Sequence, residues 1–201
     1  MIVSLSEQGD SSRPIGEALN TVTRRIILTG APGAGKTAIV RRLELDGFRV
    51  VEEAATDLIA LRQAEGVLEP WTEPTFIDDV LALQQRREVG AMALTAPVVI
   101  FDRSPACSLA LARHLGRVPS TALSEAVEAM AGSSADCRVL LVRGLGFVTP
   151  TAARRLSLAE AQRFECLHEA VYRELGFEPI DIPPGPLQQR ANLARRLAAG
   201  S

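Results

Sequence analysis

Lysine is almost missing from this chain: of 22 basic side chains all but Lys36 are arginine. Cysteine is scarce too. Cys107, Cys137 and Cys166 are odd in number, far apart and without metal-ligand spacing, which excludes a disulfide framework or a zinc cluster and predicts three buried thiols. His114 and His168 are the only histidines, set in helical stretches away from any cysteine or acidic ligand pattern, so packing or surface roles are expected and no metal. The net charge is −2 with both signs interspersed, which argues against a nucleic-acid or membrane-surface binder. No signal-peptide pattern and no apolar run of membrane length is present, and a reducing cytoplasm is the expected location. Repeats and low-complexity tracts are also absent.

What the chain does have is apolar content of 47% over 201 residues, enough for one domain with a sizeable core. Its one lysine falls inside Gly30-Ala-Pro-Gly-Ala-Gly-Lys36-Thr37, a complete match to the phosphate-binding pattern G-x-x-x-x-G-K-[ST]. A glycine-lined loop has room for a compact ammonium and not for a planar guanidinium, so the exception to the arginine bias marks a site. Arg25-Ile-Ile-Leu-Thr-Gly30 before it reads as a buried strand, and the apolar spacing from Thr37 onwards reads as a helix ending at Asp46-Gly47. In a strand-loop-helix context, Gly30, Ala31, Pro32, Gly33, Ala34, Gly35, Lys36, Thr37 and Ala38 would cradle the phosphates of ATP with backbone N–H groups and a helix N-terminus. Lys36 would reach the β- and γ-phosphates and Thr37 would ligate Mg²⁺.

The remaining elements alternate. Residues 1–23 are polar and turn-rich and read as an N-terminal arm, with a single domain over 24–201. Strands are expected over Phe48–Glu53, Ala96–Asp102, Cys137–Val142 and Glu178–Ile182. Helices are expected over Ala54–Ala64, Thr75–Ala93, Ser108–Leu115, Ser120–Met130, Leu158–Leu175 and from the turn Pro183–Pro186 to Ala198. This order predicts an α/β fold, a three-layer sandwich with a mainly parallel five-stranded sheet. Such a sheet binds ligands at the carboxyl ends of its strands, which singles out the phosphate loop, Glu52-Glu53 and Asp102-Arg103-Ser104. Asp102 is placed to hold Mg²⁺ or to act as a base, and Arg103 to clamp a phosphate. One of Glu52 and Glu53 faces the cleft; Glu53 is the choice for binding an acceptor hydroxyl. Arg154 and Arg155, in a Gly/Thr/Pro-rich loop before a helix, would supply positive charge from a closing lid. Arg163 is a weaker candidate, and Trp71, between two prolines, reads as a packing anchor close to the acceptor.

Thr29-Gly-Ala-Pro-Gly-Ala-Gly-Lys-Thr37, Val50-Val-Glu-Glu-Ala-Ala55, Pro70-Trp71 before a long helix, Phe101-Asp-Arg-Ser104 and Leu175-Gly-Phe177 together resemble small bacterial P-loop ATPase domains of the AAA_28 type, related to nucleoside and nicotinamide-riboside kinases. The resemblance runs from about Arg24 to the end. It implies a P-loop NTPase, nucleoside/nucleotide-kinase-like, with Glu53 on the acceptor hydroxyl, Arg103 on phosphate and Pro183–Arg190 on the adenine side. Thr56 stands where relatives often carry arginine. No segment matches the sensor and arginine-finger parts of ring motors, so a monomer or homodimer is expected. The implied activity is transfer of phosphate from ATP to a nucleoside-, nucleotide- or antibiotic-like small molecule, and the alternative is a regulatory NTPase switch acting with a protein partner.

Overall fold

Five short apolar runs build the sheet of the computed structural model, which describes residues 23–93, 95–133, 135, 137–147 and 157–200. They are β1 (Arg24–Thr29), β2 (Arg49–Val51), β3 (Val98–Asp102), β4 (Cys137–Val142) and β5 (Ile180–Ile182). The order across the sheet is β2-β3-β1-β4-β5 and all four pairings are parallel. Parallel pairing needs a crossover between strands, and helices supply it: α1 (Lys36–Leu45), α2 (Ala55–Ala64), α3 (Phe76–Met92), α4 (Pro105–His114), α5 (Thr121–Gly132), α6 (Leu158–Glu174) and α7 (Leu187–Ala199).

Because side chains alternate along a strand, each central strand feeds both faces. Ile26 and Leu28 of β1 point to the layer made by α1 and α7, where Ile39, Leu43, Ala194 and Ala198 are fully buried. Ile27 points the other way with Phe101, into the layer of α4 and α6 where Tyr172 and Val171 are buried. Burying each such Ile or Leu contributes about 1.5–3 kcal/mol, so the two-sided packing of β1 fixes its register firmly. A third apolar cluster joins α2, α3, α4 and α5 through Phe76, Val80 and Leu123, and it forms the floor of the cleft described below.

The structure departs from the sequence expectation at element ends. The second strand stops at Val51, so Glu52 and Glu53 lie beyond it and their directions are set by partners instead of strand alternation. The helix after β3 begins at Pro105, three residues before Ser108, because proline is already suited to a first helical turn and Ser104 sits at its cap position. Of the thiols expected to be buried, Cys107 is, Cys137 is half-buried and Cys166 is exposed on α6. The N-terminal arm up to residue 22 and the lid arginines Arg154 and Arg155 lie outside the described residues.

Candidate functional site

In the order β2-β3-β1, the chain leaves β1 and β3 in neighbouring positions, and their carboxyl ends open a crevice. The phosphate loop follows β1. Gly30 takes φ 126°, and a Cβ there would collide with the carbonyl oxygen of Val142 on β4, so only glycine lets the loop leave the sheet so close to its neighbour. Gly33 and Gly35 also adopt positive φ, 87° and 86°. Gly35 caps α1 without any side-chain hydrogen bond, which leaves the helix N-terminus to be satisfied by an anion.

Lys36 is buried and its Nζ donates to the carbonyls of Gly30 (2.8 Å) and Ala31 (2.9 Å). Burial, and then the charge of Arg103, bring its ammonium down to about 8 against the opposing pull of Asp102 and Glu53. Thr37, next along α1, is exposed to the cleft.

At the end of β3, Arg103 is the one non-glycine residue among those described with positive φ, 84°. Left-handed backbone at a bulky side chain costs on the order of 1–3 kcal/mol and persists only where surroundings impose it. Here they do so fully. Its backbone N–H bonds Leu28 O (3.1 Å), its Nε is ion-paired with Glu53, and its Nη1 donates to Gly30 O (3.3 Å) and meets His168 Nε2 (3.2 Å). Glu53 also accepts from the Thr56 hydroxyl (3.1 Å). Burial pushes the Glu53 carboxyl up, but Arg103 and Lys36 with those hydrogen bonds overcome it and hold it at about 2. Glu52 turns away and pairs with Arg41 on α1.

Asp102 is 3% exposed and its Oδ1 has no protein hydrogen-bond partner. Burial, with Glu53 adding to it, raises its carboxyl to about 6. The partnerless carboxylate oxygen of Asp102, on the strand beside the one that leads into the phosphate loop, and the Thr37 hydroxyl at that loop's end are hard oxygen donors, which suit Mg²⁺ better than softer metals. No group of three or more His, Cys, Asp or Glu that could hold a metal occurs among the described residues.

Lys36, Thr37, Glu53 and Arg103 line one end of a cavity of about 500 Å³, within the range of small-molecule sites, and Asp102 lies behind them, outside its lining. Its other end is apolar, made by Ile59, Trp71, Phe76, Val80 and Leu111, and closed by Phe164 stacked on His114 at 4.6 Å. Trp71 is positioned by Arg117, whose guanidinium donates to the carbonyls of Trp71 (3.0 Å), Thr72 (2.7 Å) and Glu73 (2.6 Å). Between the two ends lies Gln84 of α3. Its Oε1 accepts from Ala54 N–H (3.2 Å), while its buried Nε2 has no partner. A second cavity, about 470 Å³, runs along the outer side of the loop from Ala31 to Ala34 and is bordered by Gly144, Phe147 and Pro184. The loop thus divides two chambers.

From the sequence, His168 has only a packing or surface role, Arg190 is reached only as the end of an adenine-side segment, and Gln84 is not singled out. His168 is buried on α6 and touches Arg103. Gln84 occupies the cavity. Arg190 of α7 reaches under the phosphate loop, with Nη1 donating to Ala34 O (2.7 Å) and Nη2 to Arg143 O (2.8 Å). Each is a polar residue within an apolar helical stripe: Gln84 follows Phe76, Ile77, Val80 and Leu81; His168 lies between Phe164 and Tyr172; and Arg190 precedes Ala191, Ala194 and Ala198. That interruption is the signal that could have found them. Arg163 is exposed on α6, away from the cavity lining.

The AAA_28 family model, described as an AAA domain, matches residues 25–190, most of the chain. The chain belongs to the AAA_28 family. A search of curated proteins finds no significant match. Among solved structures, this AAA_28 domain is similar to the NadR protein in complex with NAD and AMP-PNP, at TM-score 0.61 and 16% identity. That alignment covers 89% of this chain but 50% of NadR, so the domain spans about half of that protein's length. It is also similar to deoxyadenosine kinase from M. mycoides with bound dATP, at TM-score 0.58 and 15% identity, over 89% of this chain and 100% of the kinase. The AAA_28 domain therefore has the P-loop kinase fold, an α/β sandwich with a parallel five-stranded sheet. No helix among the described residues is long and apolar enough to cross a membrane.

Proposed function

We propose that this domain is an ATP-dependent phosphotransferase that moves the γ-phosphate to a hydroxyl of a small, uncharged, flat acceptor of nucleoside-like shape. The observation that carries this reading is one cavity in which Lys36, Thr37, Glu53 and Arg103 line one end and Ile59, Trp71, Phe76, Val80 and Leu111 the other, with the unpartnered Nε2 of Gln84 between them. A hydrolytic switch has no need of a slot this deep beside its phosphate loop. Among the described residues lining the cavity, Lys36 and Arg103 are the only lysine and arginine, and both sit at the phosphate end, so none of these favours an acceptor that already bears phosphate.

The chemistry follows from the charges. Phosphoryl transfer passes through a loose transition state, so positioning and charge stabilisation carry most of the catalysis. Lys36 would neutralise the β- and γ-phosphate oxygens, and Arg103 would stabilise the group in flight. Glu53, held ionised, would accept a hydrogen bond from the attacking hydroxyl and aim it. Thr37 and Asp102 would hold Mg²⁺, which when bound neutralises phosphate charge. The donor base would lie in the second chamber, against Phe147 and Pro184. A cytoplasmic location, a monomer or homodimer, and a lid bearing Arg154 and Arg155 complete the reading.

The test is Mg²⁺-dependent ADP release from ATP, with and without pooled nucleosides, nucleotides, sugars and aminoglycosides, beside Lys36→Ala. Strong stimulation by the nucleoside pool, lost in a variant that still folds, is expected. Turnover indifferent to every pool would replace this reading with a regulatory NTPase, and undiminished turnover in Lys36→Ala would remove the phosphate loop from the mechanism.

A further inference from the structure

The inward face of α6 meets α4 and the segment that leads into it at three points spaced one helical turn apart. Phe164 stacks on His114, His168 meets Arg103, and Tyr172 OH bonds Ser104 Oγ at 2.7 Å. Positions i, i+4 and i+8 share one helix face, so the three side chains form a continuous rail against residues 103–114. His168 is fully buried in the middle of it.

The protonation pattern of that imidazole is dictated by its neighbours. Nδ1 lies 2.8 Å from Phe164 O, and a carbonyl can only accept, so Nδ1 carries the hydrogen. Nε2 lies 3.2 Å from Arg103 Nη1, and a guanidinium can only donate, so Nε2 presents its lone pair. Both contacts are satisfied only by the neutral Nδ1–H tautomer. An imidazolium would set N–H against N–H.

The consequence for Arg103 is orientational. Its Nε is taken by Glu53, and its Nη1 by Gly30 O and His168, while Nη2 has no hydrogen-bond partner among the described residues. A planar guanidinium with two of its three nitrogens fixed has no rotational freedom left, so the third is aimed. We propose that His168 is a positioning residue that, through its Nε2 lone pair, locks the Arg103 guanidinium so that Nη2 is presented to the phosphoryl group being transferred. His168 itself touches no reacting atom. The proposal rests on the phosphotransferase reading only in naming what Nη2 meets; the lock itself is independent of it.

Two measurements on the full chain separate these parts. In the first, His168→Leu and His168→Gln are each made in the wild type and in Arg103→Lys, which keeps a charge but lacks the guanidinium fork. Losing a hydrogen bond to a charged group predicts that His168→Leu lowers turnover about 10- to 100-fold with the KM for ATP little changed. His168→Gln, which retains an acceptor, should recover to within a few-fold. In the Arg103→Lys background His168→Leu should cost less than about twofold, because the residue it acts through is already gone. An equal loss in both backgrounds, tracking thermal stability, would mean a merely structural histidine and overturn the proposal.

The second measurement needs no turnover. Long-range ¹H–¹⁵N spectra of protein labelled at histidine should show His168 protonated at Nδ1 alone, with an Nε2 resonance that moves when Arg103 is replaced by lysine. An imidazolium, or an Nε2 resonance indifferent to Arg103, overturns the lock even if the enzyme is active. An inactive wild type with the expected spectra would instead reject the phosphotransferase reading and leave the lock standing.

Discussion

Replacing Gly30 by alanine tests whether the approach of the phosphate loop to β4 is as close as the structure requires. The added Cβ would overlap the carbonyl oxygen of Val142 and stand 3.3 Å from its carbonyl carbon. Both atoms are backbone in a fully buried central strand, so neither can swing away. Two costs add. A non-glycine residue at φ 126° loses about 1–2 kcal/mol to backbone strain, and forcing an extra carbon into a packed backbone contact costs about 1–3 kcal/mol more. The sum is about 2–5 kcal/mol, and for a domain of this size that lowers the unfolding midpoint by about 4–20 °C. Gly47→Ala provides the control, since Gly47 has φ 92° but nothing within 4 Å of its would-be Cβ, so it should lose only about 1–2 kcal/mol. Urea unfolding of both variants, followed by circular dichroism, measures the difference. The functional effect should exceed the stability effect, because Gly30 O accepts from both Lys36 Nζ and Arg103 Nη1 and any shift of Gly30 moves both cations. ATP affinity by calorimetry should fall at least about tenfold, equivalent to roughly 1.4 kcal/mol. Equal destabilisation of Gly30→Ala and Gly47→Ala, or unchanged ATP affinity, would refute the close-approach argument.

Arg190→Met should weaken ATP binding and lower stability by about 1–3 kcal/mol, because Ala34 O and Arg143 O lose their donor while only part of that loss is offset by removing a buried charge; calorimetry and urea unfolding check it. A thiol reagent applied to the native protein should modify Cys166 quickly and half-buried Cys137, whose thiol burial raises to about 11, only slowly; mass mapping over time decides this. Ser157→Ala removes half of the capping box that starts α6 and should cost about 1 kcal/mol at neutral pH. Its partner Glu160 is held below its usual range by the Ser157 side chain and backbone N–H, so the box contributes fully above about pH 4.5 and is lost as pH falls through the folded value. The stability difference between wild type and Ser157→Ala should accordingly shrink in acid.

The sheet was legible because its strands are buried on both faces and read as continuous apolar runs, as at Val98–Phe101 and Val139–Val142. Boundaries were less so. Phe48 and Glu52-Glu53 extend the apolar-edged pattern of β2 at both ends, yet pairing with β3 covers only Arg49–Val51, since β2 is an edge strand with one partner. Pairing is a tertiary fact and leaves no local mark. The start of α4 is marked by Pro105 in its first turn and not by the hydrophobic spacing that begins further on.

At the site, legibility divides by the kind of information that places each residue. The phosphate loop is a local backbone device, so its sequence specifies it. Glu53, Asp102 and Arg103 follow from a topological rule about strand ends, which a sequence reader can apply once the strands are found. His168, Gln84 and Arg190 obey neither, because each is brought in by a helix packed from elsewhere in the chain. What unites them is electrostatic necessity. Lys36 and Arg103 stand against Glu53 and Asp102, and removing the charge of any one changes the balance felt by the other three, as their mutual shifts show. A cluster so coupled holds a single arrangement only if its neutral contacts are fixed as well. The imidazole beside Arg103, the amide beside Ala54 and the carbonyls gathered by Arg190 are the contacts available to do so. They are polar residues in apolar stripes because what they hold in place, a guanidinium at one point and backbone N–H and C=O groups at the others, needs a polar partner where water is excluded.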